Sequence, residues 1–128
     1  MKPQELRVGN LVYVPGLFEP SALVEPVEFI YSNGEIGTKS TEAHASYYRP
    51  IELNEDWILK FGFEKTTPDG WMCLNICNDW TFLYWHKGVL ELSVNRHSVV
   101  LKHIESVHEL QNLIFALTGE ELTIKEQP

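Results

Sequence analysis

From Gly70 to Ile104 apolar and polar positions alternate, and the alternation holds through three turns. Trp71–Cys77 and Trp80–His86 are expected strands, separated by Asn78-Asp79, a pair that tolerates the positive φ of a tight hairpin. A two-residue turn there sets Cys77 opposite Trp80, Ile76 opposite Thr81, Leu74 opposite Leu83 and Met72 opposite Trp85. Lys87-Gly88 makes the next turn and sets Leu90 beside Trp85, Leu92 beside Leu83 and Val94 beside Thr81. A third turn at Asn95-Arg96 sets Val99 beside Leu92 and Leu101 beside Leu90. Side chains of a strand change face with period two, so this register keeps the aliphatic residues on one face throughout. A slip of one residue in any pairing would scatter them. The expectation is a four-stranded antiparallel meander.

The other face of that meander carries Trp71, Cys73, Asn75, Cys77, Trp80, Phe82, Tyr84, His86, Glu91, Ser93 and Asn95. Large apolar side chains are ordinarily buried, which favours cover by the N-terminal half. The sharper alternative is a contact surface, because exposed aromatic patches are a mark of interfaces.

Helical spacing returns after Glu105. Ser106-Val107-His108-Glu109 has the form of a capping box, and Val107, Leu110, Leu113, Ile114 and Leu117 make an apolar stripe suited to the aliphatic face. Gly119 is placed to end the helix in the left-handed conformation. Glu120–Lys125 is expected as a short strand or an extended tail, and Glu126–Pro128 as a frayed end.

Upstream, Gly9-Asn10 bends the chain into a strand over Leu11–Val14 that Pro15-Gly16 ends, as at the opening of small SH3-like barrels. Pro15–Pro26 holds three prolines and reads as loop. Val27–Tyr31 reads as a strand, and Asn33-Gly34 as a type I′ hairpin turn that pairs Tyr31 with Ile36 and Phe29 with Thr38. Lys39–Ser46 shows no period and reads as an exposed loop. Tyr47–Leu53 is extended, with Pro50 confining it to an edge or a strand start. Asn54 then caps a short helix with Glu55 and Asp56 in its first turn, Trp57, Ile58 and Phe61 on its buried side, and Gly62 at its end. The fold class expected is α+β: an SH3-like, partly barrel-shaped β unit over residues 1–50, then a helix–meander–helix unit over 51–128, together one compact domain.

Composition narrows the function classes. The 128 residues are 44% hydrophobic and 22% charged, which excludes disorder for the bulk of the chain. No apolar run approaches the ~20 residues of a membrane span, and Met1–Glu5 lacks the apolar core of a signal peptide, so a cytoplasmic protein is expected. The net charge of −8 argues against general nucleic-acid binding, which draws its affinity from Lys and Arg on phosphates. Cys73 and Cys77, four residues apart on a strand, would lie about 13 Å apart and are expected as free thiols.

Glu5-Leu6-Arg7-Val8-Gly9-Asn10, Pro50-Ile51-Glu52-Leu53, Leu59-Lys60-Phe61-Gly62-Phe63, His108-Glu109-Leu110-Gln111-Asn112-Leu113 and Ala116-Leu117-Thr118-Gly119-Glu120-Glu121-Leu122 together resemble a group of small hypothetical proteins of bacterial and bacteriophage genomes. The resemblance spans most of the chain. It brings no assigned activity and no functional residues, and implies only a cytoplasmic protein carried on mobile elements.

The chemistry legible in the residues is sparse. His97, His103 and His108 have gaps that fit no metal motif and read as surface histidines. Cys73 lies diagonal to His86, but a nucleophile pair also needs an orienting group and an oxyanion site. No phosphate loop and no nucleophile elbow is present. The expected function is therefore a non-enzymatic protein-binding or accessory protein that binds a partner or itself, with no cofactor and no metal. Its contact residues would be Trp71, Trp80, Phe82, Tyr84 and His86. The alternatives are an enzyme acting on a small molecule at the seam between the halves, and a nucleic-acid-associated protein.

Overall fold

The computed structural model describes residues 1–15 and 23–125. The chain is mixed α+β, with several antiparallel sheets and a C-terminal helix. It divides into two units, residues 1–52 with 106–112 and residues 53–105 with 113–128.

In the first unit, strand β1 (Leu11–Val14) pairs with β2 (Leu23–Pro26), and β3 (Phe29–Ile30), β4 (Glu35–Gly37) and β5 (Glu42–His44) form a three-stranded sheet. Leu6, Val12, Val14, Val27, Ile36, Ala45 and Tyr48 make its core. Three expectations change here. Leu23–Pro26 is strand, not loop: Leu11 pairs with Pro26 and Val14 with Leu23, so Pro26 closes an edge strand. The rest of that expected loop, and the end of β1 at Gly16, lie outside the described residues, as does the expected frayed end at 126–128. The Asn33-Gly34 hairpin is one residue longer than a type I′ turn. Phe29 pairs with Gly37 and Ile30 with Ile36. Of the two turn residues only Gly34 has positive φ, at 90°, while Asn33 Oδ1 accepts from Glu35 N at 3.0 Å. One left-handed residue after an ordinary turn gives a three-residue loop with a bulge, and the register moves by one. Finally, Glu42–His44 pairs with β4, and Ala45–Tyr47 is a 3-10 turn that buries Ala45, so the stretch read as an exposed loop is ordered structure.

The second unit begins at Asn54, whose Oδ1 accepts from Trp57 N at 3.0 Å and caps α1 (Glu55–Lys60). Trp57, Ile58, Phe61 and Phe63 are buried as the spacing requires. Five antiparallel strands follow in chain order: β6 (Glu64–Lys65), β7 (Met72–Asn75), β8 (Thr81–His86), β9 (Val89–Val94) and β10 (His97–Val100). Met72 pairs with Trp85, Leu74 with Leu83, Leu83 with Leu92, Trp85 with Leu90 and Val99 with Leu92. Positive φ at Lys87, Gly88, Asn95 and Arg96 makes both later turns two-residue turns. β6 is an addition, since Glu64 pairs with Cys73 and Lys65 with Met72. Met72, Leu83, Trp85 and Leu90 are buried, but burial fades toward the β10 edge, where Val94, Val99 and Val100 are exposed.

The final helix, α2 (Val107–Thr118), contributes its first half to the first unit and its second half to the second. Glu109 Oε1 accepts from Ser106 N at 3.1 Å and from Ser106 Oγ at 2.7 Å. Val107, Leu110 and Ile114 are buried, whereas Leu117, expected on the apolar stripe, is exposed. Gly119, at φ 74°, ends the helix and donates from its N to Phe115 O at 2.8 Å.

Candidate functional site

Strand pairing places Phe82, Tyr84 and His86 in rows across one face of the five-stranded sheet. Glu64, Cys73, Tyr84 and Glu91 form one row, and Asn75, Phe82 and Ser93 the next. Trp71, one residue before β7, lies against His86 with ring centroids 4.4 Å apart and planes 9° from parallel. Trp71 meets Tyr84 edge-on at 6.5 Å and 78°, and Phe82 leans on Tyr84 at 6.1 Å. Trp71, Phe82, Tyr84 and His86 thus make one continuous aromatic row, and each is half-buried. The rings shield one another and keep part of each surface open.

Trp80 does not join them. The two-residue turn expected at Asn78-Asp79 is replaced by a longer loop in which Cys77 takes φ 61°. Asn78 organises that loop: its Oδ1 accepts from Trp80 N at 2.9 Å and from Thr81 Oγ1 at 3.0 Å, while Asn75 Nδ2 donates to Asn78 O at 2.7 Å. An asparagine that bonds backbone two residues on makes its own turn and displaces the hairpin geometry. Cys77 and Trp80 therefore never pair. Trp80 is 63% exposed. Cys77 leaves the aromatic face, and its Sγ donates to Leu117 O at 3.4 Å.

Two shallow recesses flank the row. Thr66, Thr67, Trp71, Tyr84 and Glu91 line one of ≈ 340 Å³, and Gly62, Glu64, Thr66, Cys73, Leu74, Asn75 and Phe82 line one of ≈ 310 Å³. Both are near the lower limit of ligand pockets, about 300–1,000 Å³. Cys73 opens on the second. Burial pushes its thiol up, and Tyr84 across the strand pair is its hydrogen-bond neighbour. Burial, then Cys73, pushes the Tyr84 hydroxyl up. His86 is turned elsewhere, with Nε2 3.1 Å from Asp69 O. A thiol nucleophile is activated by a lowered pKa or a paired base; the Cys73 thiol is instead pushed up, first by burial, with the Glu64 charge opposite adding to it, and His86 is not turned to it.

A second cluster, in the first unit, was not legible in the sequence. His108, expected at the surface, is 2% exposed, while His97 and His103 are exposed as expected. His108 Nδ1 lies 3.1 Å from Ser106 Oγ and Nε2 lies 3.4 Å from Glu5 Oε2. In outline this is a hydroxyl, an imidazole and a carboxylate in a string. The Ser106 hydroxyl proton, however, goes to Glu109, so the serine oxygen is left to accept from the imidazole. A general base takes the nucleophile's proton, and in this arrangement the Ser106 hydroxyl points to Glu109 instead. The string is a helix-cap joint. Beside it, Gln111 and Asn112 bond to the backbone and side chains of residues 5–11. Their one sequence signal is a Gln-Asn pair set between the stripe residues Leu110 and Leu113.

Among the described residues no three His, Cys, Asp or Glu side chains are grouped to hold a metal ion. No helix among them is long and apolar enough to cross a membrane. No family model, no curated protein and no solved structure matches the chain.

Proposed function

We propose that this protein is a non-enzymatic binding or accessory protein whose contact surface is the aromatic row of the second unit. One observation carries the reading: Trp71, Phe82, Tyr84 and His86 lie against one another in a continuous row and are still half open. Aromatic side chains offer large contact area with few rotors to immobilise, which is why they dominate interface hot spots. Trp80, though off the row, adds an exposed indole at one end of the same sheet. Two finer points of the fold belong with this reading. The first is a small-barrel, SH3-like curvature of the first unit, suggested by the Gly9-Asn10 bend into β1. The second is a seat for α2 on the aliphatic side of the sheet, supported by the Cys77–Leu117 bond and by burial of Leu83, Trp85 and Ile114. Neither reading of the alternatives gains from the geometry. The Cys73 thiol is pushed up rather than activated, and the rows that hold the aromatics carry Glu64 and Glu91 but no Lys or Arg to meet phosphate.

The test is affinity capture from the native host with the wild-type chain and with Phe82→Ser, each checked by its melting temperature. A captured partner that Phe82→Ser loses while keeping its melting temperature supports the reading. A partner retained unchanged, or a variant that unfolds because Phe82 is core, overturns it.

A further inference from the structure

We infer that the recess between Trp71, Tyr84 and Glu91 receives one arginine side chain of a basic segment on a partner protein. The inference rests on the aromatic row being a contact surface, and names the chemistry that this surface selects. Three features converge on a planar cation. Trp71 and Tyr84 stand 78° apart, so they form two walls of a corner. Ring faces attract cations, tryptophan most strongly, and a guanidinium stacks on them as an ammonium cannot. Glu91 stands directly across the strand pair from Tyr84 and lines the same recess. Its carboxylate has no ion-pair partner among the described residues. A carboxylate beside aromatic walls is the acceptor that a guanidinium fork fits in bidentate fashion. Thr66 and Thr67 complete the lining with hydroxyls. The Thr66 hydroxyl donates to Trp71 O at 3.2 Å, which leaves its lone pairs to accept a further N–H.

Charge complementarity selects the class of partner. Glu64 and Glu91 flank Cys73 and Tyr84 in one row across the strands, which Val100 continues beyond Glu91. The positions paired on this face carry no Lys or Arg, and Lys87 lies in the turn beyond His86. Lys65 belongs to the opposite face, paired with Met72, and its Nζ is 3.2 Å from Glu55. With a net charge of −8 the chain as a whole favours a basic partner and would bring it in from a distance.

The probe is a short peptide of alternating Gly and Arg, titrated into the full chain while the four tryptophan indole N–H signals are followed by NMR. The Trp71 indole is expected to move, assigned by its loss in Trp71→Phe. Glu91→Gln is expected to weaken binding about tenfold, and so is replacing arginine by citrulline, which keeps the shape and removes the charge. Val99→Ser, an exposed position paired with Leu92 on the aliphatic face, is expected to leave binding unchanged. Equal binding of the citrulline peptide, equal binding of a lysine peptide, or no movement of Trp71 at millimolar peptide each overturns the inference. A captured partner lost with Phe82→Ser but kept by Glu91→Gln would overturn the arginine site alone and leave the contact surface standing.

Discussion

Gln111 reaches back a hundred positions to hold Leu11: its Oε1 accepts from Leu11 N at 2.8 Å. Its Nε2 donates to Gly9 O at 3.3 Å, so both ends of one amide are used on one bend of the chain. Asn112 repeats the pattern. It donates to Glu5 O at 2.7 Å and accepts from Asn10 Nδ2 at 2.9 Å. The first half of α2 thus latches the segment that leads into β1. A buried donor or acceptor left unmade costs more than the bond itself returns, so a latch of this kind specifies one arrangement.

Gln111→Ala removes the acceptor of the part-buried Leu11 N–H and the donor to the carbonyl of Gly9, which is itself exposed. Gln111 is 3% exposed, so water has little access to replace it. The expected loss is about 1–3 kcal/mol, read from the urea midpoint at unchanged slope. A loss below about 0.5 kcal/mol, the range of ordinary surface changes, would show that the amide is not holding the bend.

Two tryptophans of the same strand neighbourhood should respond in opposite ways. Trp80→Ser removes a side chain without ring partners among the described residues and should change stability by less than about 0.5 kcal/mol. Trp85 is 8% exposed and pairs with Met72 and Leu90 on the aliphatic face. Trp85→Ala should cost about 3–5 kcal/mol. Denaturation curves of the pair decide it, and comparable losses would refute the placement of Trp80 outside the core.

Tyr48 gives the first unit a dependence on alkaline pH. Its hydroxyl donates to Ile36 O at 2.8 Å, and burial pushes its pKa up. The unfolded chain therefore releases this proton before the folded one does. The stability Tyr48 supplies is complete below the ordinary tyrosine value of about 10 and is lost as pH rises past it. Urea midpoints measured from neutral pH to above that value should fall more steeply for wild type than for Tyr48→Phe. Parallel curves would remove the effect from Tyr48.

The thiols should be distinguishable by rate. Cys77 is exposed and Cys73 half-buried, and burial pushes the Cys73 thiol up. Since the thiolate is the reactive form, Cys73 should label more slowly than the exposed Cys77. Mass spectrometry of the native protein, with Cys77→Ser as the reference, reads both rates. Faster labelling at Cys73 would contradict its position in the row.

Asn54→Ala should cost about 1 kcal/mol, since Trp57 N loses its acceptor, and Asn54→Ser should recover most of it. Thermal melts of the two variants check this. Equal losses would mean that the cap bond contributes little to α1.

The register of β7 to β10, the cap at Asn54 and the box at Ser106 could be read from the chain because each depends on neighbours. Period-two alternation and turn residues act over a few positions, so the strands Met72–Asn75 to His97–Val100 align without knowledge of the rest. Where a local signal pointed to a different turn, a single residue decided it. The Asn78 amide built a longer loop in place of a two-residue turn between β7 and β8, and the lone positive φ at Gly34 moved β3 by one residue. Tertiary structure alone decided what pairs across long separations. It placed Leu23–Pro26 beside β1, turned His108 inward, and set Gln111 and Asn112 on residues 5–11. It also decided that the aromatic row stays half open. A polar side chain on a helix carries no mark of which distant backbone group it will satisfy. An aromatic face likewise carries no mark of what will cover it, because both are settled only when the whole chain competes for the same buried positions.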